Sequence, residues 1–116
     1  MTSGRLFSMP FSDLHPLYLA KVLRKGRTSS ELEAVICWAT GYSADTLVRQ
    51  IDRRIDLAGF FAEAPLAIAR MPLVTGTVCG VRVEAVVDPT LRMIRALDLL
   101  VDELARGKPL SRILRS

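Results

Sequence analysis

The residues best suited to chemistry lie in one valine-rich strip, residues 73–87. The strip holds a thiol, Cys79, and two opposite charges, Arg82 and Glu84. A nearby guanidinium favours the thiolate, which is the nucleophilic form of cysteine. Burial in such an apolar strip raises the pKa of a thiol instead. We therefore treat these three residues as a candidate polar site. A thiol-dependent small enzyme centred on Cys79 is one functional hypothesis, which ranks third after the two described below.

Other residues offer weaker catalytic or metal-binding patterns. The one histidine, His15, precedes Pro16 and would need a nucleophile from elsewhere in the chain to build a triad. Asp98 and Asp102 stand one helical turn apart, as two metal ligands would, but arginines at helical spacing are available to pair with them. The chain has no glycine pattern of the kinds that bind nucleotide phosphates. The sequence therefore predicts no catalytic residue, no metal and no cofactor.

A helix, a short turn containing glycine and a second helix are predicted over residues 31–54, which is the arrangement of a helix-turn-helix. In such a motif the second helix presents some side chains to base edges and others to phosphates. The predicted base contacts are Thr46, Arg49 and Gln50, and the predicted phosphate contacts are Arg53 and Arg54. Aspartates in the same stretch repel DNA, so a helix-turn-helix-like nucleic-acid-binding protein is the alternative hypothesis.

The charge of the chain is unevenly spread. The net charge is +4 over 116 residues. The first 30 residues hold five basic side chains and one acid, residues 31–69 hold six acids and three bases, and the tail from residue 107 holds three bases and no acid. A net charge of this size keeps a protein soluble, and the two basic ends are the part that would attract a polyanion.

The composition is that of one globular domain covering residues 1–116. Hydrophobic residues make up 50% of the chain and charged residues 24%. We expect a cytoplasmic protein with no membrane partner, because no apolar run approaches the roughly 20 residues that cross a bilayer and the N-terminus lacks a signal peptide. Cys37 and Cys79 lie far apart in apolar surroundings, so we expect reduced, buried thiols.

Capping residues, prolines and glycines predict short helices with short connections. The predicted starts are Pro16, Thr28 with Glu31 as a capping box, Ser43, Asp56, Asp88 followed by Pro89, and Lys108 followed by Pro109. The predicted stops are Gly26, Gly41, Pro65 and Gly107.

Residues 73–87 decide between two fold classes. The alternating valines after a Cys79-Gly80 turn indicate a β-hairpin, in which Arg82 and Glu84 share a face and form a salt bridge. Several of the same valines also share a helical face, and only residues 5–9 offer a third strand. We predict a compact, mainly helical domain of about five or six short helices. The alternative is an α+β domain in which a small hairpin formed by residues 73–87 packs on helices.

The chain resembles a bacterial family called domain of unknown function 2200. The segments that carry the resemblance are Tyr18-Leu19-Ala20-Lys21, Trp38-Ala39-Thr40-Gly41-Tyr42, Phe60-Phe61-Ala62-Glu63-Ala64-Pro65, Cys79-Gly80-Val81-Arg82-Val83-Glu84, Asp88-Pro89 and Asp102-Glu103-Leu104-Ala105-Arg106-Gly107-Lys108. The resemblance runs nearly end to end, and it implies no activity, cofactor or partner. It also implies a more acidic segment after Glu84 than Ala85 and Val87 provide.

The first functional hypothesis rests on the number of apolar faces. The long stripe of residues 91–104, the apolar side of residues 110–114 and the pair Phe60-Phe61 exceed what one small core hides. The sequence therefore predicts a small non-catalytic interaction or binding module whose partner is a second copy or another protein.

Overall fold

The computed structural model describes residues 2–115, which form eight α-helices and one two-stranded hairpin. The helices are α1 (Thr2–Ser8), α2 (Phe11–Arg24), α3 (Ser29–Thr40), α4 (Ala44–Asp52), α5 (Leu57–Ala62), α6 (Ala67–Arg70), α7 (Pro89–Ala105) and α8 (Leu110–Ile113). The strands are β1 (Thr77–Val78) and β2 (Val81–Arg82), and single 3₁₀ turns cover Met71–Leu73 and Val83–Ala85. None of the described helices combines the length and the apolar content that crossing a membrane requires.

Four predicted helix starts are confirmed by their capping hydrogen bonds. Thr28 Oγ1 accepts the N–H of Glu31 at 3.1 Å, and Glu31 Oε1 accepts the N–H of Thr28 at 3.0 Å, which completes the capping box of α3. Ser43, Asp56 and Asp88 cap α4, α5 and α7 in the same way, each accepting a backbone N–H three residues later. Local side-chain chemistry therefore positions the middle and the end of the chain.

One N-terminal prediction is wrong, because α2 begins at Phe11 rather than at Pro16. The possible third strand at residues 5–9 does not form, since residues 5–8 lie in α1 and Met9 follows that helix. Pro16 sits inside α2 despite its missing N–H, because Phe11 is fully buried and stacks on Phe60 with ring centroids 3.9 Å apart. Burial of an aromatic side chain contributes about 1.5–3 kcal/mol, which offsets a lost helical hydrogen bond.

Helix α7 forms the centre of the core. It contacts α2, α3, α5, α8 and the hairpin. Its buried residues occur on several sides of the helix, as expected for a helix surrounded by other elements. They are Ile94, Ala96, Leu97, Leu99, Leu100, Val101, Leu104 and Ala105. The predicted stripe of residues 91–104 is thus part of one core.

The hairpin is shorter than the predicted strip. Thr77 pairs with Arg82 and Val78 with Val81, so each strand has two residues. Cys79 and Gly80 form the turn with φ of 49° and 78°, the left-handed geometry of a type I′ turn. The fold is therefore mainly helical, as predicted, and it contains the small hairpin of the alternative.

Candidate functional site

Cys79 is exposed at the tip of the hairpin. The expectation that it lies in the core is wrong, because a two-residue hairpin turn projects away from the helices on which its strands pack. In the described part of the chain no hydrogen bond links this thiol to an acid or a base. Cys37 is half-buried in α3, and burial is the main reason that the pKa of its thiol is raised.

Arg82 and Glu84 do not form the predicted salt bridge. The strand ends at Arg82, and Glu84 lies in the following 3₁₀ turn. Glu84 Oε1 accepts the backbone N–H of Gly76 at 3.0 Å, and this hydrogen bond is the main cause of the lowered pKa of Glu84. The carboxylate of Glu84 thus braces the base of the hairpin. Within the described residues no hydrogen bond joins Cys79, Arg82 and Glu84, and a shared chemical role for them stays a prediction.

The helix, turn and helix of residues 31–54 form as predicted, but Gln50 does not face outward. It is only 4% exposed, and its side-chain amide donates to Tyr42 Oη at 3.1 Å and to Glu63 Oε1 at 3.0 Å. Thr46 and Arg49 lie on the outer side of α4, where Arg49 Nη2 donates to Thr46 Oγ1. Gln50 therefore reaches no base edge in this conformation.

The two predicted phosphate contacts after α4 carry acidic partners. Arg53 Nη1 lies 3.1 Å from Glu63 Oε1, and Arg54 Nη2 lies 3.6 Å from Asp13 Oδ1. Both arginines are exposed, so these pairs are weak. The contacts of Thr46, Arg49, Arg53 and Arg54 with nucleic acid stay a prediction.

His15 lines a small cleft of about 190 Å³ between α2, α3 and α4. Ser29, Ser30 and Glu33 lie on the same cleft. The pKa of His15 is lowered mainly because burial disfavours its charged form, and the nearby Glu33 opposes that shift. No described hydrogen bond connects the imidazole to either serine, so the cleft does not hold an assembled triad.

Asp98 and Asp102 are both committed to other side chains. Asp98 accepts a hydrogen bond from the Tyr18 hydroxyl and pairs with Arg95 at 3.1 Å. Asp102 pairs with two cations, one from α2 and one from the end of α7. These carboxylates tie α2 to α7.

A groove with apolar walls lies next to the hairpin and is the best candidate for a binding site. Its volume is about 320 Å³. It is lined by Ile68, Met71, Pro72, Val86, Val87, Pro89, Arg92 and Met93. We call this surface the apolar groove. Two of its side chains face solvent, since Ile68 is 79% exposed and Val87 94%.

Arg92 is the one charged residue in the apolar groove. Its Nε is buried and has no hydrogen-bond partner in the part of the chain that the structure describes. Buried polar groups usually have a partner, so an unsatisfied guanidinium N–H is a position where an incoming acceptor is favoured. Two acids lie near Arg92: Glu84, whose pKa the Arg92 charge helps to lower, and Asp88, which precedes Arg92 by one helical turn. The apolar groove can thus hold an apolar side chain and a carboxylate together.

Comparison with known proteins agrees with this architecture. A family model described as an uncharacterized protein conserved in bacteria, DUF2200, matches residues 5–115. The chain belongs to the DUF2200 family. A crystal structure described as uncharacterized protein SP1917 is 37% identical, with a TM-score of 0.87 over 95% of this chain and 90% of that chain. No curated protein matches the chain.

The sequence did not reveal the apolar groove of this DUF2200 member. Alternation in residues 81–87 placed Val83 and Val87 on one buried face, yet Val83 is fully buried and Val87 almost fully exposed. The 3₁₀ turn Val83–Ala85 breaks the alternation between them. No local signal marked Val87 as exposed, because an apolar residue directly before a helix cap often packs against the helix that follows.

Proposed function

We propose that the protein is a non-catalytic binding module that self-associates through the apolar groove. The observation that carries this proposal is the exposure of Ile68 and Val87 beside a buried, unpartnered guanidinium N–H. Side chains this apolar are stabilised when a partner covers them, by about 25 cal/mol for each Å² removed from water. The groove adds no catalytic group to that surface.

The charges around the groove favour a second copy of the chain as the occupant. A two-fold contact places the same surface on both partners, so the surface has to complement itself. The groove offers Arg92, and Glu84 and Asp88 lie beside it. In a two-fold dimer the Arg92 guanidinium of one copy can meet a carboxylate of the other while the apolar side chains cover each other.

The other hypotheses receive less support. The helix-turn-helix hypothesis is weakened because Gln50, one of its predicted base contacts, is buried. Its two predicted phosphate contacts, Arg53 and Arg54, already pair with acidic side chains. The thiol-enzyme hypothesis lacks a hydrogen bond from Cys79 to any described acid or base. We also propose a cytoplasmic location, which the two free cysteines support because reducing compartments keep thiols unpaired.

Sedimentation velocity tests the proposed self-association. We expect a rising sedimentation coefficient between about 1 and 100 µM, the range in which contacts worth about 5–8 kcal/mol assemble. Val87→Asp should shift the protein to monomer, because it places a charge in the centre of the contact. Leu17→Asp is the matched control, since Leu17 is 62% exposed on α2 outside the groove. A monomer at every concentration, or equal loss of dimer in both variants, would contradict the proposal.

A further inference from the structure

The two basic ends of the sequence meet at one end of the molecule. Arg27, which follows α2, donates from Nη1 to the carbonyl of Leu104 at 3.1 Å and to the carbonyl of Lys108 at 2.9 Å. One turn back in α2, Lys21 Nζ lies 3.1 Å from Asp102 Oδ1 of α7. The C-terminal end of α2 therefore lies against the connection between α7 and α8.

A polar cleft of about 560 Å³ opens at this junction. Its walls come from the start of the hairpin, the second half of α7, the connection to α8 and α8 itself. They are formed by Gly76, Thr77, Leu99, Asp102, Glu103, Arg106, Gly107, Lys108, Pro109 and Arg112. We call this cleft, together with the cations that flank it on α2 and after α8, the basic cleft.

The net positive charge of the basic cleft exceeds the net charge of the whole chain. Arg106, Lys108 and Arg112 line the cleft, and Lys21, Arg27 and Arg115 contact its lining residues. Arg24 and Lys25 follow Lys21 by one turn of α2 and complete the eight cations. They face three carboxylates, those of Glu31, Asp102 and Glu103, which leaves an excess of five positive charges, compared with +4 for the entire sequence. At the rim, Glu84 is balanced by Arg82. The positive charge of the protein is therefore concentrated on one surface.

The two carboxylates inside the basic cleft are each shared by two cations. The pairs are Lys21–Asp102 at 3.1 Å, Arg106–Asp102 at 2.8 Å, Lys108–Glu103 at 3.3 Å and Arg115–Glu103 at 2.7 Å. Asp102 and Glu103 thus hold four cations in place and leave two of the four positive charges uncompensated. Arg24, Lys25 and Arg112 are exposed and form no ion pair within 4.0 Å in the described part of the chain.

We propose that the basic cleft binds the sugar-phosphate backbone of nucleic acid without reading its sequence. Arginine forks match phosphate oxygens, and a row of separate cations suits a polymer with regularly spaced negative charges. The concave shape fits a strand better than a flat lipid surface. No aromatic side chain lines the cleft, so base stacking adds nothing to binding. This site shares no lining residue with the apolar groove, so its test does not depend on self-association.

The salt dependence of binding follows from the number of free cations. If Arg24, Lys25 and Arg112 each neutralise one phosphate, the logarithm of the affinity for duplex DNA falls with the logarithm of salt at a slope of about −2.7. Between 50 and 200 mM salt the affinity then falls about 40-fold. Removing two of the three cations reduces the slope to about −0.9 and the fall to about 3.5-fold.

Fluorescence anisotropy with a labelled 20-bp duplex, in wild-type protein and the double variant K25E/R112E, tests the proposal. The comparison variant is R5E/R49E, which makes the same change in net charge at exposed sites on α1 and α4 and, because Arg49 is a predicted contact of the helix-turn-helix hypothesis, also tests that competing site. Neither Lys25 nor Arg112 has an ion partner among residues 2–115, so K25E/R112E should fold normally, and circular dichroism checks this. We expect K25E/R112E to lose most binding and R5E/R49E to keep it, with the same affinity for two unrelated duplex sequences.

Several results would overturn the proposal. Equal losses in the two variants would show that net charge alone drives binding, and a loss confined to R5E/R49E would place the contact on α1 or α4. No wild-type binding at 50 mM salt would remove the site. Sedimentation with vesicles containing phosphatidylserine, without binding to DNA or to a single strand of the same length, would assign the basic cleft to a membrane surface instead.

Discussion

Replacement of Arg27 by alanine should destabilise the protein strongly, although Arg27 lies in a connection between helices. Its guanidinium donates to the carbonyls of Leu104 and Lys108, at the C-terminal end of α7, and its side chain is only 15% exposed. Carbonyls in the last turn of a helix lack partners within the helix, so Arg27 donates to the one of Leu104 and places a positive charge at the negative end of the α7 dipole. Its second hydrogen bond, to the Lys108 carbonyl, holds the connection that follows α7.

The magnitude follows mainly from those two hydrogen bonds, because the i,i+4 ion pair of Arg27 with Glu31 adds only about 0.3–0.5 kcal/mol. A hydrogen bond from a charged donor contributes about 1.5–3 kcal/mol, and water can reach part of this site in the variant. We therefore expect the Arg27→Ala change to lower the free energy of unfolding by about 2–3 kcal/mol, which is a fall in Tm of about 8–12 °C for a domain of this size. Arg27→Lys should recover part of the loss, because one ammonium group cannot copy the planar fork.

Urea unfolding followed by circular dichroism measures this change, with thermal unfolding as a second measurement. Arg24→Ala is the matched control, since Arg24 is an exposed arginine three residues earlier with no ion pair among the described residues. We expect the control to stay within about 0.5 kcal/mol of wild type. If Arg27→Ala also stays within that limit, the inference that Arg27 joins α2 to α7 is refuted.

Three further predictions concern packing, backbone geometry and pH. Phe60→Ala should lower the free energy of unfolding by about 3–5 kcal/mol in the same urea assay, because the fully buried ring leaves a cavity; a cost below about 1 kcal/mol would contradict this packing. Gly41→Ala should lower the free energy of unfolding by about 2–3 kcal/mol, since φ is 82° and a Cβ would lie 2.6 Å from Leu66 Cγ. Gly26→Ala has the same φ but open space around the Cβ, so it should lower the free energy of unfolding by only about 1 kcal/mol. Equal losses in the two variants would refute the predicted clash. Hydrogen bonds from Arg27, first, and from the Thr28 backbone N–H lower the pKa of Glu31 from 4.5 to about 2, so the stabilisation by the Glu31 carboxylate is complete above pH 4.5 and lost as the pH falls towards 2. Glu31→Gln should therefore flatten the acid limb of stability against pH, and an unchanged limb would refute this.

The parts of the fold that the sequence predicted are those set by neighbouring residues. The capping box of Thr28, the caps at Ser43 and Asp56, and the Asp88-Pro89 start each depend on atoms within three residues of one another. Such interactions form wherever the chain begins a helix, so the residue types suffice to locate them.

The N-terminal error comes from contacts between distant residues. Phe11 packs on Phe60, and the backbone between α1 and α2 pairs with the backbone before α5, where Phe11 N–H donates to the Ile55 carbonyl at 2.8 Å. This pairing holds the chain at Phe11 and makes it the start of α2. A proline six positions into a helix is tolerated under that constraint, and no local rule reports it.

The basic cleft also combines a feature that the sequence shows with one that depends on contacts between distant residues. The two basic ends were visible as stretches of sequence, but whether they cooperate depended on their separation in space, which Arg27 determines by binding across more than 70 residues of chain. Charge composition predicts attraction for a polyanion and says nothing of where the cations meet.

The apolar groove depends on a change of backbone conformation within four residues. Val83 and Val87 are the same residue type, and a continuous strand would bury both on one face. The 3₁₀ turn Val83–Ala85 begins at the buried valine, because Glu84 turns back to accept the Gly76 N–H, and the chain then leaves the core with Val87 beside Ile68. Removing that hydrogen bond with Glu84→Ala should therefore weaken self-association even though residue 84 does not line the groove. Glu84→Gln removes the charge but keeps an acceptor for the Gly76 N–H, so sedimentation of both Glu84 variants beside Val87→Asp separates the position of Val87 from a direct role of the Glu84 carboxylate in the contact.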